Sequence, residues 1–188
     1  ESVGLPLINV SYNDTFYFKF NRLGAWLWKS DNGFRVGGVI MSHAGYDKDD
    51  GDLLIIDRDD STMAGVNFAY SKGMFSTEAG YVSDVSDTSE GAKFYAQAQY
   101  TMVATPKYTL TVSAKLENLD EDLVSYYYGT KESTSNATLA LIGTYQLNEK
   151  WTLLGAVSAT SLGDEIADSP IVEDDSYNAV LVGATYSF

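Results

Sequence analysis

The chain has 188 residues, with 26 acidic against 12 basic side chains, a formal net charge of -14, one histidine and no cysteine. That length holds one domain or one closed barrel. The missing cysteines exclude disulfides and thiolate metal sites, and the negative charge, with no basic patch to offset it, excludes nucleic acid as a partner.

No run approaches the ~18 apolar residues of a transmembrane helix, and no charged-then-apolar leader opens the sequence, so a mature product or a fragment is expected. Period-two alternation in segments of about ten residues predicts strands throughout. They fall at 5–12, 15–29, 33–42, 62–71, 74–83, 92–102, 107–118, 137–147, 151–161 and 178–188. The second is longer than a barrel strand needs and puts Arg22 on its apolar parity. A bulge or break at 21–24 is therefore expected, and a split would raise the count of ten by one. The clearest segment is 107–117, where Tyr108, Leu110, Val112, Ala114 and Leu116 oppose Thr109, Thr111, Ser113, Lys115 and Glu117.

The connections alternate in length. Short ones lie at 30–32, 72–73, 104–106 and 148–150, and long ones at 43–61, 84–91, 119–136 and 162–177. Only the hairpin at Asn13 and Asp14 is short where a long loop is due. The long connections hold 20 of the 26 acids. Short turns on one rim and long loops on the other predict an all-β, antiparallel outer-membrane barrel, a single domain over 1–188.

A soluble barrel would turn its apolar face inward. Aromatics on the apolar parity instead flank the short turns: Trp28 and Phe34, Tyr70 and Phe75, Tyr100 and Tyr108, Tyr145 and Trp151, with Tyr186 and Phe188 at the end. Rings repeated at one height make an interfacial girdle. The opposite face carries Lys19, Arg35, Glu78, Lys93, Lys115 and Glu117. Turning those cations to lipid would cost ~2–4 kcal/mol each near the midplane, so the polar face is expected in the lumen. There the charges either select permeating solutes or pair and plug a small barrel, the second being favoured.

Three stretches invite chemistry. In 47–60, "DKDDGDLLIIDRDD", Gly51 falls one place too early for an EF-hand loop and no closing acid follows, so a solvated acidic loop is expected. His43 with Ser42 beside it suggests a hydrolase, but no nucleophile motif accompanies it, and a rim residue is the ordinary reading. "YYYG" at 126–129 is either an aromatic platform or the packing of a long loop over the barrel mouth, more often the latter. No catalytic, metal-binding or cofactor-binding residues are assigned, and no enzyme activity or cofactor is expected.

The stretches "LPLINVSYNDTFYFKFNRLGAWLWKSDNG" (5–33), "DRDDSTMAGVNFAY" (57–70), "YYYGTKES" (126–133), "NEKWTLLG" (148–155), "LGDEIADSPIVEDD" (162–175) and "VGATYSF" (182–188) resemble the MltA-interacting protein / outer membrane protein V (MipA/OmpV) family of Gram-negative outer membranes. The segment Asp168, Ser169, Pro170, Ile171, Val172, with "YYYG", is the most specific. The resemblance implies an integral outer-membrane barrel, with a signal peptide and a further strand ahead of this segment. It implies a scaffold that brings together a lytic murein transglycosylase and a penicillin-binding protein in peptidoglycan remodelling. The alternatives are a small-solute pore with a charged lumen or a surface adhesin acting through its acidic loops. Outer-membrane lipid and lipopolysaccharide are the implied surroundings, and Phe188 the implied signal to the barrel-insertion machinery.

Overall fold

A computed structural model describes residues 9–19, 21–48 and 56–186. Its strands are β1 (Asn9–Tyr12), β2 (Phe16–Lys19), β3 (Arg22–Lys29), β4 (Phe34–His43), β5 (Ser61–Lys72), β6 (Phe75–Asp84), β7 (Ala92–Ala104), β8 (Tyr108–Leu119), β9 (Thr134–Gln146), β10 (Trp151–Ser161) and β11 (Ser176–Tyr186). Each pairs antiparallel with its sequence neighbour in one eleven-stranded sheet, β1 to β11 in order. Among the described residues no ladder joins β11 back to β1. Two short helices, α1 (Glu121–Tyr128) and α2 (Asp164–Ala167), sit in long connections where only loops were expected. Among the described residues no helix is long and apolar enough to cross a membrane. The start of the first expected strand, 5–8, lies outside the described residues.

The run 15–29 breaks, as Arg22 on its apolar parity suggested, and the split raises the strand count from ten to eleven. β2 and β3 pair antiparallel, Phe16 opposite Ala25 and Lys19 opposite Arg22. This also corrects the anomaly at Asn13 and Asp14. Both have φ 51° and Thr15 N donates to the Tyr12 carbonyl at 3.0 Å, so the turn reverses β1 into β2. Asp14 then meets Lys29 Nζ at 3.6 Å and Arg35 Nη1 at 3.3 Å, beside the 30–33 turn, so this hairpin belongs to the short-turn rim. The short connection on the long-loop rim is the one from β2 to β3, where Asn21 Nδ2 donates to the Ser42 carbonyl of β4 at 3.0 Å.

One face of the sheet is apolar and open. Leu23, Ile40, Val66, Phe68, Tyr81, Phe94, Leu116, Leu139, Val157, Val180 and Val182 are all exposed on it. The other face carries the core: Val39, Met41, Met63, Val82, Tyr95 and Leu119, joined from the helices by Leu123, Val124, Tyr127 and Ile166. An inside-filled, outside-apolar sheet is the arrangement of a membrane barrel, not of a soluble sandwich.

Two glycines make room for the interior rings. Gly24 lies opposite Tyr17, and Gly80 opposite Tyr95. A Cβ on Gly80 would come within 2.6 Å of the Tyr95 ring. Gly80→Ala should therefore push Tyr95 out of its place beside Glu78 and cost about 1–3 kcal/mol. Urea unfolding from lipid vesicles measures this, and an unchanged midpoint would remove the packing argument.

Candidate functional site

The long-loop end of the interior is closed by the two helices. Asp120 caps α1 by accepting from Leu123 N at 3.0 Å, and Glu121 and Asp122 place negative charge at the positive end of the helix. Gly129 ends it at φ 75°, its N–H donating to the Ser125 carbonyl at 3.1 Å. These caps fix which face turns inward: Leu123, Val124 and Tyr127 are buried.

Tyr127 is the central bolt. Its Oη lies 2.8 Å from Ser61 Oγ and 3.0 Å from the Asp59 carbonyl, and its ring stands 4.5 Å from the His43 ring. Tyr46 Oη donates to the Tyr127 carbonyl at 2.7 Å, and Arg58 covers the Tyr126 ring at 4.6 Å. Burial pushes the Tyr128 phenol up to about 12, so it stays a neutral, hydrogen-bonding group at any ordinary pH. "YYYG" thus packs a long loop over the mouth.

The segment "DSPIV" completes the closure. Ser169 is buried and its Oγ donates to the Tyr128 carbonyl at 2.6 Å. Ile166, three residues before it, is fully buried, and Val172 packs against the same core. Asp168 and Pro170 are exposed and Ile171 is half-buried. In this loop the acids face water while Ile166, Ser169 and Val172 fasten α2 to α1.

The acidic loop uses its carboxylates on its own backbone. Asp60 Oδ1 accepts from Gly45 N at 2.7 Å and Asp57 Oδ1 from Lys48 N at 2.8 Å, while Tyr46 and Arg58 form a β-bridge. Among the described residues no group of three or more His, Asp or Glu side chains could hold a metal ion. Residues 49–55 of that loop lie outside the described ones.

Below the plug run two charge networks. Glu78 Oε1 accepts from Arg22 Nη1 at 3.3 Å, Tyr95 Oη at 3.0 Å and Asn67 Nδ2 at 3.2 Å, and Asn67 also donates to Tyr17 Oη at 2.7 Å. Glu117 stands 2.8 Å from Lys115 Nζ and 3.6 Å from Lys93 Nζ, which in turn lies 3.5 Å from His43 Nδ1. Sequence reasoning missed Arg22, Tyr17, Asn67 and Tyr95. The reversal from β2 to β3 explains the first: it resets the alternation, so Arg22 turns inward.

Lys19 and Arg35 stand apart from these networks. The Lys19 ammonium lies over the Tyr17 ring at 5.2 Å, and the Arg35 guanidinium lies over Trp26 at 5.9 Å and reaches Asp14. Both line a cavity of about 130 Å³ at the short-turn end, with Ser71, Ser76, Gln97 and Gln99.

In register, girdle positions stand opposite one another across strands at the short-turn rim: 34 and 70, 75 and 100, 108 and 145, 151 and 186. Trp28, Phe34, Phe75, Tyr100, Tyr108, Tyr145 and Trp151 are exposed, and Tyr70 is half-buried against Phe34 at 4.5 Å. Phe188 lies outside the described residues.

A meander of neighbouring strands, apolar outside, charged inside and capped at one mouth, defines a β-barrel of the outer-membrane type. The whole chain, residues 1–188, matches the family described as MltA-interacting protein MipA, and it belongs to that family. It is 26% identical over 202 residues to the putative outer membrane protein YiaT of Escherichia coli (strain K12), covering 98% of this chain and 81% of that protein. It is 28% identical over 212 residues to the MltA-interacting proteins of Escherichia coli (strain K12) and Shigella flexneri, with the same coverage. The chain is an outer-membrane protein.

Proposed function

We propose that the protein is a non-enzymatic outer-membrane scaffold that holds peptidoglycan-remodelling enzymes, a lytic murein transglycosylase and a penicillin-binding protein, against the membrane. The observation that carries this reading is the plug. With Tyr127, Leu123, Val124 and Ile166 filling one mouth, and Glu78 and Glu117 pairing with Arg22, Lys93 and Lys115 inside, the rims are the surfaces left to a protein partner. The partner class is drawn from relatives named MltA-interacting protein. On this reading His43, against the Tyr127 ring and 3.5 Å from Lys93 Nζ, serves the plug. The open apolar face meets outer-membrane lipid and lipopolysaccharide.

Purified protein fixed to a matrix in mild detergent should retain the source organism's murein transglycosylase, and through it a penicillin-binding protein, from a membrane extract. Retention no greater than on a matrix carrying an unrelated barrel of equal charge would overturn the scaffold.

A further inference from the structure

The cavity at the short-turn end has a chemistry of its own. Its two cations are Lys19, which makes no ion pair among the described residues, and Arg35, whose only carboxylate partner there is Asp14 on the outer turn. Glu78, the carboxylate on its wall, is already engaged by Arg22, Tyr95 and Asn67. Around them stand the amides of Gln97 and Gln99 and the hydroxyls of Ser71 and Ser76. In a chain of net charge -14 this is a local excess of positive charge inside low-dielectric walls, which concentrates anions. The opposite mouth is plugged, so entry is from the short-turn rim, the periplasmic one.

We propose that this cavity is a blind, periplasm-facing binding site for a small carboxylate. The Lys19 ammonium and Arg35 guanidinium meet the anion, and the glutamine and serine side chains bond the polar atoms next to it. At about 130 Å³ it admits a carboxylate with a few further heavy atoms, the size of an amino acid or the last residue of a peptide. The proposal rests on the barrel and its plug and does not depend on the scaffold role.

The absence of cysteine makes the test direct. Ser76→Cys is placed in the wall and labelled in detergent with an anionic and a cationic methanethiosulfonate of similar size, with 2-mercaptoethanol as reference thiol. The anionic reagent should be favoured by about ten-fold over its preference for the reference thiol, and Lys19→Gln should remove most of that excess. N-acetylalanine should slow the labelling and its amide should not. Alanine and alanylalanine, run in parallel, tell a free amino acid from a chain end as the source of the carboxylate. Retained β-sheet circular dichroism certifies each variant as folded. A preference no different from that of the reference thiol, or equal protection by acid and amide, overturns the site.

Discussion

Glu78→Leu is expected to lower stability by about 2–4 kcal/mol. The substitution leaves Arg22 without its counter-ion and Tyr95 and Asn67 without their common acceptor. Breaking a buried pair from one side costs roughly 3–5 kcal/mol, and here the lower part of that range applies because 23% of Arg22 and 19% of Glu78 remain accessible. Adding Arg22→Met should recover much of the loss, since an apolar pair needs no partner. The urea midpoints of the two single variants and the double variant give the coupling. If the double variant loses as much as the two singles summed, the pair is not coupled and the account of the interior fails.

The larger functional effect is expected at Tyr127. Truncating a fully packed aromatic costs about 3–5 kcal/mol, and this one is also bonded to Ser61 and to the Asp59 carbonyl. That loss falls on the docking of α1, because the strand ladders do not run through it. Tyr127→Ala should therefore keep its β-sheet signal while 119–136 becomes open to protease. In planar bilayers the parent should stay closed and the variant should conduct. Steady conductance by the parent would instead make it a pore. A variant as silent and as protease-resistant as the parent would show that Tyr127 does not hold the mouth.

Much of this architecture was legible because a barrel strand writes itself into the sequence with period two, and because short and long connections alternate. The 107–117 segment needed nothing else. The break in the run 15–29 was legible only as a fault of parity, Arg22 on the apolar side; Phe20 and Asn21 offer neither Gly nor Pro, and both flanking segments carry alternating rings, so nothing marked it as a tight reversal. Helix α1 was hidden for another reason. Eight residues are too few to show a helical period, although Asp120 and Gly129 are a matched pair of caps that mark it. In "DSPIV" the residue types signalled a family but not a task; only the fold brings Ser169 to the Tyr128 carbonyl across 41 positions of sequence.

The meander has a consequence for how the molecule is made. Each described strand pairs with the one before it, so these ladders are assembled from short loop closures. The plug is the opposite case. Its contacts join Tyr46 to Tyr127 across 81 residues and Ser61 to Tyr127 across 66. They form only when β4 through β8 already stand in the sheet. The stopper can therefore be set only after that stretch of the wall is in place.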